Sequence, residues 1–332
     1  MASPRWGSNC RKQSVGKAKV CAVVLAITVL WPAAPSPGAG SLSSDALYLL
    51  PLESGEVVFL DLQTLRDSPH YPLLKQRLLG SRFRAVEPLL RSLDVEKGLD
   101  WVAWVRTAPN PGRPRELFLG IAQGRFAPEK AEQFLLAQKV PLDAYRGQTL
   151  FPLAGAAGAD LFLAFLNSTT AAFGTRAGLE LLLETRFGAH GSLTGNALLR
   201  ERLDEVNGRA PAWAVFDPHY TQEAVRRLLP EAAKFAEFPR VAEGFRSSLL
   251  RANVDQGVAL SFQILCSRPA DAQELALLLE TGLMAQSWKA AQSAHSTLSS
   301  ALRAAEVRAS GERVDMHMAI AETDLRALLE PR

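Results

Sequence analysis

Two short stretches near the C-terminal end constrain this chain more than any other feature. In "GVALSFQIL" (257–265), Val258, Leu260, Phe262 and Ile264 alternate with Ala259, Ser261 and Gln263. In "VDMHMAI" (314–320), Val314, Met316, Met318 and Ile320 share one face and Asp315 and His317 the other. A period of two puts the large apolar set on one side of a strand and the polar set on the opposite side. Strands of this kind belong to an antiparallel sheet covered on one side. The stretch that begins at Pro269 supplies a cover: Ala272, Leu275, Ala276, Leu279 and Leu283 fall at helical intervals, in a stripe wide enough to pack on a sheet. The fold class that follows is α+β, with mainly antiparallel sheet packed by helices.

The first forty residues stand apart. Arg5, Arg11, Lys12, Lys17 and Lys19 form a basic leader without one acidic residue, and "VCAVVLAITVLW" follows from Val20 to Trp31. That run is too short for a membrane span of ~20 residues. Pro32 ends it, and small residues follow in "AAPSPGAGS". This is the layout of a secretory signal peptide over residues 1–40, with cleavage expected after Gly40. The alternative is an uncleaved inner-membrane anchor over residues 20–34 with the domain outside. Either way the rest of the chain is exported, to the periplasm or beyond, and membrane contact is confined to an uncleaved leader.

The leader also distorts the charge. The whole chain is +3, but beyond residue 40 there remain 32 Lys and Arg against 34 Asp and Glu. No basic footprint is left for a nucleic-acid partner. Cys10 and Cys21 leave with the leader, so Cys266, at the end of a strand, is the one thiol of the mature chain and has no disulfide partner.

Beyond the leader, strands are expected over 56–62, 100–106 and 116–126, the last two as a hairpin around the turn "TAPNPGRP". Helices are expected from Asp67 or Ser68 as caps, over 83–94, and over 127–138 with Pro128 in the first turn. A second hairpin centres on Gly147, and a third on Asn167 and Ser168. "AGAAGA" (154–159) reads as a flexible turn. "GAHGSLTGN" (188–196) divides a first half, 41–190, from a second, 191–332. A strand at 212–218, helices over 221–239, the strands "SSLLRANV" and "GVALSFQIL", and a helix running from Pro269 follow. "STLSSALRAAEV" reads as more helix, and "ETDLRALLE" closes the chain. In each half a strand ending near an aspartate, Asp61 or Asp217, leads to helices and then a hairpin. Each hairpin is followed by a proline-opened helix in which Pro128 and Ala131 match Pro269 and Ala272. That order suggests an internal duplication.

Chemistry is harder to find. His70, His190, His219, His295 and His317 show no metal-ligand spacing, and no nucleophile-elbow, phosphate-loop or dinucleotide motif is present. No cofactor and no metal are expected. The one candidate catalytic group is Asp217, His219 and Tyr220 in "FDPHYT", where an aspartate and a histidine at a strand end can form an acid–base pair. Asp217-Pro218 is equally a helix-entry turn. Trp101 and Trp104, three apart on a strand, point to opposite faces. "NST" at 167–169 fits a glycosylation acceptor.

The leader, the segment "LLP…VVFLDLQTLRDSPHY" and the units ending in "GRFAPEKAEQF" resemble a group of bacterial secreted proteins of unknown function. The shared entry is carried here by Asp61, Leu65, Ser68 and Pro69. The resemblance implies an exported bacterial α+β protein and supplies no catalytic residues. The expected function is that of a non-catalytic envelope protein binding a partner or an apolar ligand between sheet and helices. The alternative is a secreted hydrolase built on Asp217 and His219.

Overall fold

The apolar run "VVFL" lies at the middle of one large sheet. The structure is a computed structural model, which describes residues 40–69, 71–72, 98–137, 142–156, 159–254, 257–292 and 296–329. The leader, the helix expected over 83–94, His70 and His295 lie outside the described residues. In chain order the first part holds α1 (Ser44–Leu49), β1 (Ser54–Asp61), α2 (Leu62–Asp67), β2 (Leu99–Thr107), β3 (Leu117–Gly124) and α3 (Pro128–Ala137). It continues with β4 (Asp143–Tyr145), β5 (Gln148–Ala156), β6 (Ala159–Phe165), β7 (Thr170–Thr175) and α4 (Arg176–Arg186). Then come α5 (Ala197–Val206), β8 (Ala212–Phe216), α6 (Pro218–Leu228), α7 (Phe238–Ala242), β9 (Phe245–Asn253) and β10 (Val258–Cys266). The last elements are α8 (Pro269–Ala291), α9 (Ser296–Arg303), β11 (Glu306–Ser310), β12 (Arg313–Ile320) and α10 (Glu322–Leu329).

The strands form a 12-stranded sheet in the order β11-β12-β10-β9-β8-β1-β2-β3-β7-β6-β5-β4. Every pairing is antiparallel. The protein is α+β, with a large antiparallel sheet packed by helices. Strands β1–β7 lie on one side of the β1–β8 pair and β8–β12 on the other. Outward from that pair the order is β1-β2-β3-β7-β6 on one side and β8-β9-β10-β12-β11 on the other; β6 carries the further strands β5 and β4.

The two faces are covered by different helices. Val57, Phe59, Val105, Ile121, Trp213 and Val215 pack with Leu179, Leu182 and Leu183 of α4 and Leu199 and Leu203 of α5. Phe59 stacks on Trp213 at 5.2 Å between ring centres. Val258, Leu260, Phe262, Ile264, Met316 and Met318 pack with Tyr220 and Val225 of α6, Phe238 of α7, and Leu275, Leu279 and Leu283 of α8. In β1, Val57 and Phe59 serve the first core, and Val58 and Leu60 lie against the second. A strand covered on both sides reads as an unbroken apolar run, which is why "VVFL" lacks the alternation of β10.

The structure changes two expectations and adds a helix. The added helix, α2, starts at Leu62, because Asp61 caps it; most of the helix expected from Asp67 or Ser68 lies outside the described residues. The Asp61 carboxylate accepts the Gln63 and Thr64 N–H groups at 3.0 and 3.1 Å, the Thr64 hydroxyl at 2.6 Å and the Gly40 N–H at 2.6 Å. Asp61→Ala is expected to lower stability by about 1 kcal/mol, the typical worth of such a cap, read from a denaturant midpoint. "AGAAGA" is mostly strand: β5 runs to Ala156 and β6 starts at Ala159. Finally, "EV" of "STLSSALRAAEV" is the beginning of β11, which turns through Gly311 (φ +59°) into β12. The expected hairpins at Gly147 and at Asn167 are present. The first turns through Arg146 (φ +47°) and Gly147 (φ +78°), the two positive values that the favoured two-residue hairpin turn requires.

Cys266 ends β10 as a fully buried thiol, and burial pushes its pKa up to about 12. It is expected to resist thiol reagents at pH 8 in the native protein and to react only at the rate of unfolding, as read by a chromogenic disulfide assay.

Candidate functional site

Helix α8 is apolar on two faces. Leu275, Leu279 and Leu283 face the sheet and are buried. Leu277, Thr281, Met284 and Trp288 follow one another at intervals of four, three and four residues, so they share a second face. On it Leu277 is 63 % exposed, Met284 66 % and Trp288 66 %. Single exposed apolar residues need no explanation; three large ones on one helix face form an apolar patch of the kind that interaction surfaces carry.

Beside this face runs an open groove of about 630 Å³ between α8, the end of α9 and β11. Glu280, Met284, Trp288, Leu302, Arg303 and Val307 line it. Strand β11 stands at the end of the sheet order, with β12 as its one neighbour among the described strands. Val307 pairs with Met316 and packs toward the core under α8. Glu306 and Arg308 pair with His317 and Asp315 on the opposite face. Their own side chains meet at 2.7 Å.

The sequence-predicted residues Asp217, His219 and Tyr220 lie elsewhere, at the N-terminus of α6. Asp217 caps the helix by accepting the Tyr220 N–H at 2.8 Å, and Pro218 occupies the first turn. Burial raises the Asp217 pKa against the opposing pull of that hydrogen bond. The His219 imidazole is half exposed and faces Glu223 at 3.5 Å. Tyr220 is fully buried and donates its hydroxyl to Glu116 at 3.1 Å. The three therefore do not form one acid–base pair: Asp217 accepts a backbone N–H, His219 faces Glu223 with its ring edge-on to Tyr220 at 5.0 Å, and the Tyr220 hydroxyl goes to Glu116.

Tyr220 belongs to an ion cluster that no sequence motif announces. Arg106 of β2 lies 4.5 Å from the Tyr220 ring centre and pairs with Glu56 of β1, with Glu116 at 3.1 Å and with Glu223 at 3.4 Å. Burial raises the Glu56 pKa, with Arg106 pulling it back down. Burial also carries the Tyr220 phenol well above its usual range, so it remains a hydrogen-bond donor. The signal that could have found the cluster is weak: a glutamate, an arginine and another glutamate, each near the end of an apolar strand. Register alone brings Glu56 opposite Arg106.

Of the other histidines, His190 pairs with Glu184 at 2.9 Å, and His317 lies opposite Ser261 on the polar face of β12. Trp101 packs toward Phe59 at 5.8 Å, whereas Trp104 is on the other face, opposite Val58. Among the described residues no helix is long and apolar enough to cross a membrane.

No protein-family model matches the sequence, and no characterised protein matches it at a significant level. Solved structures of TP0453, a Treponema protein, are similar to it. Crystal form I shares 9 % identity over 87 % of this chain and 98 % of that one, and crystal form IV 8 % over 86 % and 95 %. The TM-score is 0.48 in both.

Proposed function

We propose that this is an exported, non-catalytic protein of the bacterial envelope that binds a polypeptide partner on the outer face of α8 and along β11. The observation that carries the reading is the stripe of Leu277, Met284 and Trp288, exposed among the described residues, beside a strand edge that no described strand pairs. A strand edge offers a row of free N–H and C=O groups, which a peptide backbone satisfies and a lipid chain does not. The adjoining groove is open and carries Glu280 and Arg303 on its walls, unlike the enclosed, mostly apolar pockets that hold small ligands. Export follows from the basic, apolar and small-residue order of positions 1–40. The hydrolase alternative draws no support from α6, where Asp217 is committed to capping and His219 turns to Glu223.

The test is a photo-crosslinking residue placed at 288 in cells producing the full chain, with Arg200 on α5 as the control position. A discrete polypeptide adduct at 288, absent at 200, is the expected result. Adducts of equal yield at both positions, or none at 288, would remove the reading.

A further inference from the structure

We propose that the partner seated on α8 and β11 is a second copy of this chain, joined by antiparallel pairing of the two β11 strands about Val307. The proposal rests on reading this face as a binding seat and names its occupant.

The first argument is charge. Glu306 and Arg308 flank Val307 and share one face of the sheet, opposite His317 and Asp315. When two β11 strands pair antiparallel with Val307 at the twofold axis, Glu306 of each copy lies directly opposite Arg308 of the other. Both cross-strand pairs then join opposite charges, which favours this register over its neighbours. Moving the axis to residue 308 sets arginine against arginine, and moving it to residue 306 sets glutamate against glutamate. Among the registers centred on these three residues, the one about Val307 alone matches the charges.

The second argument is the apolar side. In the same register Val307 meets its own counterpart on the face that carries α8. Helix α8 packs over β11 and β12, close to the sheet edge. The twofold therefore brings the two α8 helices together across the axis, with Met284 and Trp288 of each copy facing the groove of the other. One contact covers the exposed stripe, fills the groove and pairs the open edge. An isologous contact of this kind closes on itself and stops at two copies.

The third argument comes from the other end of the sheet. Strand β6 holds the place in its half that β11 holds in its own, next to β7 as β11 is next to β12. The outer side of β6 is already paired with β5, whose Phe151 packs with Ala131 of α3 and Phe165 of β6. Within this one fold an edge in that position is covered by a strand bearing apolar side chains. At β11 the chain supplies none among its described residues.

Protein purified from the envelope of cells producing the full chain is expected to sediment, at micromolar concentration, with twice the chain mass. Glu306→Arg and Arg308→Glu, made singly, are each expected to weaken dimerisation at least tenfold, since like charges then face each other across both pairs. The double swap, Glu306→Arg with Arg308→Glu, is expected to restore it. Trp288→Asp is expected to give a monomer with an unchanged circular dichroism spectrum. A wild-type monomer overturns self-pairing, as does a dimer indifferent to the single swaps, or an open-ended series of larger species. If the monomer still cross-links to another polypeptide from position 288, self-pairing fails alone. If that adduct is also missing, the binding reading fails with it.

Discussion

Replacing Arg106 with methionine is expected to lower folding stability by about 3 kcal/mol at neutral pH, the scale for breaking a buried pair by removing one partner. Arg106 is 13 % exposed and Glu56 10 %, and Glu116 and Glu223 reach the same guanidinium. Without it, three carboxylates face one another under α6, and the Tyr220 ring loses the cation beside it. The loss depends on pH, and its sign follows from Glu56. Burial raises the folded-state pKa of Glu56 above its ordinary 4.5, so the folded protein holds that proton more tightly than the unfolded chain does. Its ionisation therefore costs stability as pH rises through the raised value, and the cost vanishes below the unfolded value. Removing Arg106 raises the Glu56 pKa further. The deficit of Arg106→Met should be largest at neutral pH and shrink as the solution is acidified toward pH 4.5. Urea midpoints at several pH values measure it. A deficit independent of pH would mean that Arg106 acts through packing alone.

Gly282→Ala is expected to destabilise the protein by about 2 kcal/mol, against the usual direction for such a change. In an exposed helix interior alanine gains roughly 1 kcal/mol over glycine. Gly282 is inside α8, where the short 3-10 turn Ala232–Lys234 crosses it. A Cβ there would lie 2.5 Å from the Cβ of Ala232, 2.6 Å from its backbone nitrogen and 2.7 Å from its Cα. Two of those atoms are backbone, so the turn or the helix must move, and overpacking of this kind costs more than the propensity gain. Thermal unfolding of the two proteins decides the sign. A Tm equal to or above wild type would show that the turn at 232 gives way freely.

The elements that were legible in the sequence are those whose side-chain period reports one buried face. Val258, Leu260, Phe262 and Ile264 are buried, as are Val314, Met316, Met318 and Ile320. Helices α3 and α8 open at Pro128 and Pro269, and Ala131 and Ala272 are buried. The hairpin at Gly147 was legible for a related reason, since its turn needs a positive φ that glycine adopts readily. Strand β11 was not, because "EVRAS" is exposed at four of its five positions and has Val307 as its one large apolar residue, too little to stand out beside the helical run before it. It is a strand only because Gly311 folds it back onto β12.

The candidate site divides in the same way. That Asp217 opens a helix was readable from Asp-Pro; where His219 and Tyr220 turn was not, because that depends on Glu223 one turn along and on Glu116 just ahead of β3. The second stripe of α8 was present in the sequence as Leu277, Met284 and Trp288. Its meaning was hidden, since spacing shows that a face is apolar and not whether anything covers it.

By itself, then, the sequence determined local matters: the strands and helices with a single buried face, and the residues that cap and turn them. Each depends on neighbours within a few positions along the chain. Tertiary structure alone decided which strand stands at the edge, which face of α8 is left open, and which charges meet at Arg106. Those outcomes depend on how separate segments pair and pack, as where register sets Glu56 opposite Arg106, 50 residues along the chain, and a shift of one residue would send every side chain to the other face.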